Sequence, residues 1–399
     1  TSFSIGLAIA AGALVARALG EGDEGLAARR TSTSLIYGVV FSAIFAGLVW
    51  LNLRFFAELL GATGNTLDLT VHYLQIIVPS LPLLMIGMMG GAILRAHGDA
   101  KRAMMATIYA GVVNAILDPI LIFGFDLELT GAALASVCAR VAIAATALLP
   151  IIKYYGGLKL PTFSCLIEDL PPTLTIAFPA ILTQLATPVG QAYVTRAMAE
   201  YGEAAVAGMA IVGRLTPVSF AVIFALSGAI GPIIGQNFGA KDNARVEGAF
   251  FAGLAFTALV VIGIALALFG LRGPIAALFD AEGVTKDLVF LFCGPLALLF
   301  FFNGVLFVAN AAFNNLGHPF YSTWVNWGRH TLGTMPLVAL CAWAFGAPGV
   351  LIGQALGGVV FGTVAFFLAR KVIREGRAPK DRDPFARQAR LLSLLNLRR

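Results

Sequence analysis

The sequence predicts an all-α integral membrane protein built as two pseudo-symmetric six-helix bundles, and three observations predict it. The chain has 399 residues, 59% hydrophobic and 12% charged, whereas a soluble globular domain is about 25% charged. With so little charge it cannot solvate an ordinary protein surface, which places it in a bilayer. Its apolar residues come in runs near the ~20 residues that cross a hydrocarbon core of about 30 Å. The second half of the chain repeats the first at a nearly constant offset.

The runs fall at 33–53, 71–94, 103–125, 130–152, 172–198, 204–236, 246–271, 287–313, 319–345 and 349–369, and residues 1–18 read as the second half of one more. Connections are short. The longest, 153–171 ("KYYGGLKLPTFSCLIEDLP"), is polar and contains Gly and Pro. It is expected to be a cytoplasmic linker between an N-terminal lobe (1–152) and a C-terminal lobe (172–370), with a basic tail (371–399) at the end. Assigning the connections alternately to two sides puts 20 Lys/Arg on one and 4 on the other, with Arg140, Arg214 and Arg329 inside spans. The positive-inside rule then places the linker and the tail in the cytoplasm of a multi-pass protein of the inner (cytoplasmic) membrane. The tail, with Leu391, Leu392, Leu394, Leu395 and Leu397 among its charges, is expected either on the anionic leaflet or in solvent.

The repeat has four anchors. "RALGEGD" (17–23) matches "QNFGAKD" (236–242), pairing Gly20 with Gly239 and Asp23 with Asp242 at an offset of 219. "FAELLGA" (56–62) matches "IAALFDA" (275–281), and Gly98 pairs with Gly317, both again at 219. Pro119 pairs with Pro336 at 217. Both copies place their Gly-containing loops on the cytoplasmic side, so the repeats are parallel and related by an axis along the membrane normal. The second copy opens near Pro171, and 171 − 219 puts the start of the first about 48 residues before Thr1. Twelve helices, six plus six, are therefore expected in the complete protein, about eleven of them here; the alternative is an eleven-span protein. Two such bundles enclose a central cleft, the geometry of alternating access with a site near mid-membrane.

Asp118, in "NAILDPILIFG" (114–124), is the only carboxylate deep inside an expected span. At a helix centre Asp costs about 2.5–3.5 kcal/mol on insertion scales, and such residues mark ion or proton paths. Asn114 lies one turn earlier on the same face. Pro119 has no N–H for the Ala115 carbonyl and kinks the helix. Two polar side chains beside a free carbonyl make a candidate H⁺ or Na⁺ site; the alternative is a structural Asp tied to Arg140 or to backbone. The second copy has Met335 at the matching position, and packing symmetry alone would not need a carboxylate in one lobe only. Gln184, Gln191, Asn303, Asn310 and Arg329 are candidates for a substrate cleft, with interhelical hydrogen bonding as the alternative for the amides. Arg140 and Arg214 are expected to snorkel from span ends. The four cysteines have no pairing or ligand spacing: Cys138, Cys293 and Cys341 read as packing residues and Cys165 as a loop residue. No Cys/His cluster, nucleotide-binding loop or catalytic constellation is present. We therefore expect no cofactor beyond a coupling H⁺ or Na⁺ and no enzyme activity. The partners expected are a small organic solute and the lipid bilayer, without nucleic acid, for a monomer.

Several stretches resemble the multidrug and toxic compound extrusion (MATE) transporters: "LVARALGEGDEGLAARR", "GGAILRAHGDAKRAM", "NAILDPILIFG", "TGAALASVCAR", "VAGMAIVGRL" and "IGPIIGQNFGAKDNARV". The Asn-x-x-x-Asp-Pro form is similar to that of the DinF-like branch. The resemblance implies twelve helices in two lobes and cation-coupled efflux of organic, often cationic, drug-like or toxic compounds. It also implies an ion-responsive cluster in the N-terminal lobe, carried over to Asn114, Asp118 and the hydroxyl of Ser136, where Thr is more usual. That cluster's first-helix Asp would lie upstream of Thr1. A membrane Glu used by another branch would fall near Thr187 and is absent. A flippase of a lipid-linked or amphiphilic substrate is the competing function; it calls for several cations along the cleft.

Overall fold

The computed structural model describes residues 2–376 other than 60, 157, 159 and 160. The tail from 377 onward, and the expectation about its place on the leaflet, lie outside the described residues. The first half comprises α1 (Ser2–Gly20), α2 (Glu24–Leu51), α3 (Leu53–Leu59), α4 (Gly64–Ile77), α5 (Leu81–Ala96), α6 (Ala100–Pro119) and α7 (Glu128–Tyr154). The second comprises α8 (Phe163–Ala199), α9 (Glu203–Ser219), α10 (Ala221–Gly239), α11 (Asn243–Leu278), α12 (Gly283–Leu291), α13 (Ala297–Leu299), α14 (Phe301–Asn315), α15 (Pro319–Gly328), α16 (Thr334–Phe345) and α17 (Ala347–Glu375). Among the described residues there is no strand. Among the described residues nine helical runs are long and apolar enough to cross a membrane, ten if the run Gly283–Asn315, bent by 43°, is one span.

Each expected span falls on a helix, and prolines explain where spans are broken. The 204–236 run divides into α9 and α10 at Phe220, just after Pro217. The 319–345 run is interrupted by a π turn, Arg329–Gly333, around Leu332, whose carbonyl Pro336 cannot satisfy. A π turn also follows Pro119, at Ile120–Gly124. The two turns lie on opposite sides of the paired prolines, so that anchor is the loosest of the four.

The other anchors acquire physical reasons. Asp23 and Asp242 both N-cap the next long helix, accepting from the Leu26 N–H at 2.8 Å and the Arg245 N–H at 3.0 Å; a capping carboxylate satisfies an otherwise orphaned donor. Gly98 and Gly317 both adopt left-handed backbone, with φ of 79° and 83°, which a side chain would strain.

The 153–171 stretch differs from the linker expected. Helix α7 runs on to Tyr154 and α8 begins at Phe163, so Cys165, Pro171 and Pro172 are helical. Its polarity reflects packing against α2. Asp169 is buried and binds Arg29 at 2.8 Å and the Thr33 hydroxyl at 3.1 Å, while the Tyr37 hydroxyl donates to the Leu166 carbonyl.

Helix α1 is the most enclosed span, because it packs on α2 and α5 on one side and on α8 and α10 on the other. Its small residues, Ala10, Ala11, Ala16 and Ala18, let four neighbours approach. An apolar core around Leu14, Met89, Ile93 and Ile151 fills the N-terminal lobe. Two further cores, around Phe220 and Leu288 and around Phe250 and Phe313, fill the C-terminal one.

Candidate functional site

The two halves meet where α1, α5, α10 and α14 end. The Arg17 guanidinium donates to the Asn315 carbonyl at 2.8 Å and to the Asn314 carbonyl at 2.9 Å. The Gln236 amide donates to the Ala96 carbonyl at 2.6 Å. These bonds are one interaction made twice, since 17 + 219 = 236 and 96 + 219 = 315. Gly20 and Gly239 allow it. A Cβ on Gly20 would lie 2.0 Å from the Gln236 carbonyl oxygen, and one on Gly239 would lie 2.2 Å from that of Arg17. Helices α1 and α10 thus cross on the pseudo-twofold axis, each passing through the other's missing side chain. Arg95 reaches across from α5 as well: its Nε lies 3.5 Å from a Cβ position on Gly228 of α10, buried and without a partner. The Arg29–Asp169 pair belongs to the same end, which carries the basic connections.

Beside Ala96, the turn into α6 is pinned. Asp99 accepts from Arg102 at 2.5 Å and from the Tyr155 hydroxyl at 2.7 Å, and the Tyr155 ring stacks on His97 with centroids 4.3 Å apart. Burial pushes the Asp99 carboxyl up, and the hydrogen bonds from Arg102 and Tyr155 outweigh it, leaving it below the usual range. Burial holds the His97 imidazole below its usual value. Burial, then the bond to Asp99, raises the Tyr155 phenol.

Asp118 and Asn114 are half-buried on one face of α6, one turn above the π turn at 120–124. Among the described residues neither side chain has a hydrogen-bond or ion-pair partner. Arg140, offered as a structural partner for Asp118, is committed elsewhere: its guanidinium donates to the Ile77 carbonyl and to Ser80 Oγ, both at 2.8 Å. It is therefore a brace between α7 and the α4–α5 turn, not a snorkelling cation, whereas Arg214 is exposed. Ser136 is half-buried in α7, which crosses the π turn where Gly131 would place a Cβ 2.7 Å from the Leu121 backbone. No hydrogen bond joins Ser136 to Asn114 or Asp118.

Three of the five cleft candidates gather on one face of α17. The Nε of Arg329 and the Nδ2 of Asn303 lie 3.9 and 4.0 Å from a Cβ position on Gly358. One turn earlier the Gln354 amide donates to Gln191 at 3.3 Å. The Arg329 Nε is buried without a partner. Asn310 belongs to a separate network nearer the closed end, accepting from Asn326 at 3.1 Å, with Ser322 bridging to Asn314. Gln184 is half-buried on α8 with no partner among the described residues. Gln354, Gln236, Arg17 and Arg95 are polar groups that sequence reasoning did not single out. The offset of 219 marks two of them, because it pairs Arg17 with Gln236.

Two repeated helical lobes, clasped at one end on their symmetry axis, define a multi-pass membrane transporter. The chain belongs to the MatE family, which matches it over residues 1–120 and 179–340. It is similar to a FAD transporter of Shewanella oneidensis, 28% identical over 387 residues that span 95% of this chain and 85% of that protein. It is also similar to the multidrug export protein MepA of Staphylococcus aureus, 28% identical over 282 residues covering 69% of this chain and 61% of MepA. The crystal structure of the Vibrio cholerae MATE transporter VcmN in the bent form superposes with a TM-score of 0.87 at 25% identity, covering 94% of this chain and 86% of that one.

Proposed function

We propose that the protein exports organic, drug-like or toxic compounds across the cytoplasmic membrane by alternating access in exchange for H⁺ or Na⁺. The lobes 1–152 and 172–370 rock about the closed end as a monomer, with that end and the tail in the cytoplasm. The observation that carries the reading is Asp118, a half-buried carboxylate in a span with no partner among the described residues. A proton removes its charge. A Na⁺ pairs with it and takes hard oxygen ligands, the proposed ones being Asn114, Ser136 and the Ala115 carbonyl. Either event ends the carboxylate's demand for a partner and lets α6 repack, a local charge change biasing a two-state element. The Asn114–Asp118–Pro119 pattern supports placing the chain in the DinF-like branch. The test is efflux of a fluorescent organic cation from vesicles under imposed H⁺ or Na⁺ gradients. Asp118→Asn should insert and bind the dye but lose gradient-driven efflux, with Asn114→Ala impaired less. Efflux within about twofold of wild type, ~0.4 kcal/mol, would make Asp118 structural.

A second reading concerns the substrate. The unpartnered Arg329 Nε beside Asn303 favours a compound bearing an anionic group, and a relative named as a FAD transporter supports it. Arg329→Gln should then weaken transport of an anionic fluorophore and spare a cationic one. The lipid-linked flippase remains a competitor, with Arg95 and Arg329 as its cations.

A further inference from the structure

Two grooves on the surface of the C-terminal lobe join end to end along α17. The first, about 320 Å³, is lined by Leu254 of α11, Phe301, Phe302 and Val305 of α14, and Phe366 and Phe367 of α17. It is aromatic and almost wholly apolar. The second, about 370 Å³, is lined by Arg370, Lys371, Arg374 and Glu375 and shares Phe367 with the first. Phe367 is 60% exposed, so both grooves open on the surface that faces lipid.

The charges of the second groove are not consumed within the fold. Lys371 has a long contact to Glu375, 3.9 Å. Arg370 and Arg374 have no ion-pair partner among the described residues, and the Nε of Arg370 is buried without a hydrogen bond. A buried guanidinium nitrogen left unpaired costs its desolvation, and a phosphate oxygen satisfies it with a charge-assisted bond. The dimensions agree with a lipid. At 1.5 Å per residue, the eight-residue step from Gly362 to Arg370 spans about 12 Å, within one leaflet of a core about 30 Å thick. The cationic groove therefore sits at headgroup level when the apolar one lies among the acyl chains. The chain that follows Gly376 carries a net positive charge, seven Lys/Arg against Asp381 and Asp383.

We propose that α17, with α11 and α14, carries a site for one anionic phospholipid, an acyl chain lying against Phe301, Phe302 and Phe366 and the phosphate held by Arg370 and Arg374. The apolar groove lies one turn along α17 from Gly358, where Asn303 and Arg329 converge, and the test does not depend on transport.

The test uses the purified full chain in detergent, titrated with dioleoylphosphatidylglycerol, with dioleoylphosphatidylcholine, or with inorganic phosphate. Thermal unfolding is followed by tryptophan fluorescence, and retained lipid is counted by native mass spectrometry. Phosphatidylglycerol should raise the midpoint and remain bound; phosphatidylcholine and free phosphate should do neither. Two variants probe the two parts. Arg370→Gln with Arg374→Gln removes the charge, and Thr363→Trp fills the apolar groove from an exposed position without touching charge. Each should lower phosphatidylglycerol retention at least threefold. Equal retention of phosphatidylcholine overturns the proposal, as does a matching shift from phosphate alone, which would mark a free-anion site. An effect of one variant without the other also overturns it, because a two-part lipid site requires both.

Discussion

Replacing Arg17 with Gln, the residue already present at the matching position 236, would test whether the clasp holds the closed end. The guanidinium makes two bonds, at 2.8 and 2.9 Å, to the Asn315 and Asn314 carbonyls. A glutamine amide can keep one of them and carries no charge. Hydrogen bonds to charged groups contribute about 1.5–3 kcal/mol and neutral ones about 0.5–1.5. Losing one and weakening the other removes about 2.5–4.5 kcal/mol before screening. Arg17 is only half-buried, so about 1.5–2.5 kcal/mol is the fair expectation after solvent screening. That is an approximately 10- to 70-fold shift, and a state with this end open at about 1% would rise to about 10–40%. The assay is a spin-label distance distribution across the closed end. Lys101→Cys and Lys241→Cys, both exposed and one on each lobe, carry the labels in a background lacking Cys138, Cys165, Cys293 and Cys341. The long-distance fraction should grow in Arg17→Gln. A distribution identical to wild type would refute the clasp as the element that closes this end.

Gly239→Val should act in the same direction more strongly, since its Cβ meets the Arg17 carbonyl at 2.2 Å, whereas Gly248→Ala, with nothing within 4 Å, should leave the distance distribution unchanged. Orientation is checked by cysteines placed in 240–245 and in 127–129: the first should be labelled only from the cytoplasm and the second only from outside, and the reverse pattern would overturn the Lys/Arg count. His97 should make the fold acid-sensitive. Its folded-state pKa lies below the ordinary 6.5, so the unfolded chain binds more protons near that pH and stability falls as pH drops through it. Between about pH 7.5 and about pH 5.5, either side of the ordinary imidazole value, His97→Gln should lose less thermal stability than wild type; an equal loss in both would assign the acid sensitivity to other groups.

Much of the architecture was legible because hydropathy runs and glycine anchors report backbone requirements. Asp23 and Asp242 read as repeat positions, and both cap helices; Gly98 and Gly317 read as a pair, and both need left-handed backbone. The linker was misjudged because composition cannot distinguish a polar loop from a polar helix that pairs its charge with a neighbour, as Asp169 does with Arg29. The site was less legible for a related reason. Asp118 stands out by its cost, since few reasons keep a carboxylate in a span. A mid-span Gln such as Gln354 carries no such cost, and only the register between α8 and α17 shows that it meets Gln191. Gln236 and Arg17 were hidden by chemistry, because an amide and a guanidinium do not look alike although both donate to a helix-end carbonyl.

The symmetry also shows where the two lobes part company. At the offset of 219, Asn303 falls on Leu84; at the offset of 217 that suits the later spans, Arg329 and Gln354 fall on Val112 and Val137, and Asp118 on Met335. Asn303, Arg329 and Gln354 therefore each match an apolar counterpart in the N-terminal lobe, and the N-terminal carboxylate matches an apolar counterpart in the C-terminal one. The backbone features that the clasp needs are kept in both copies: Gly20 with Gly239, the capping aspartates, and a side-chain donor at 17 and at 236. A motion about the shared axis requires matched halves, since each must present the same crossing surface to the other. On the proposed reading, ion and solute have no such requirement and compete less if their polar groups are separated. Holding the anion in one lobe and the cation in the other also keeps Asp118 from pairing with Arg329, which would neutralise both and leave neither charge free to respond to a ligand.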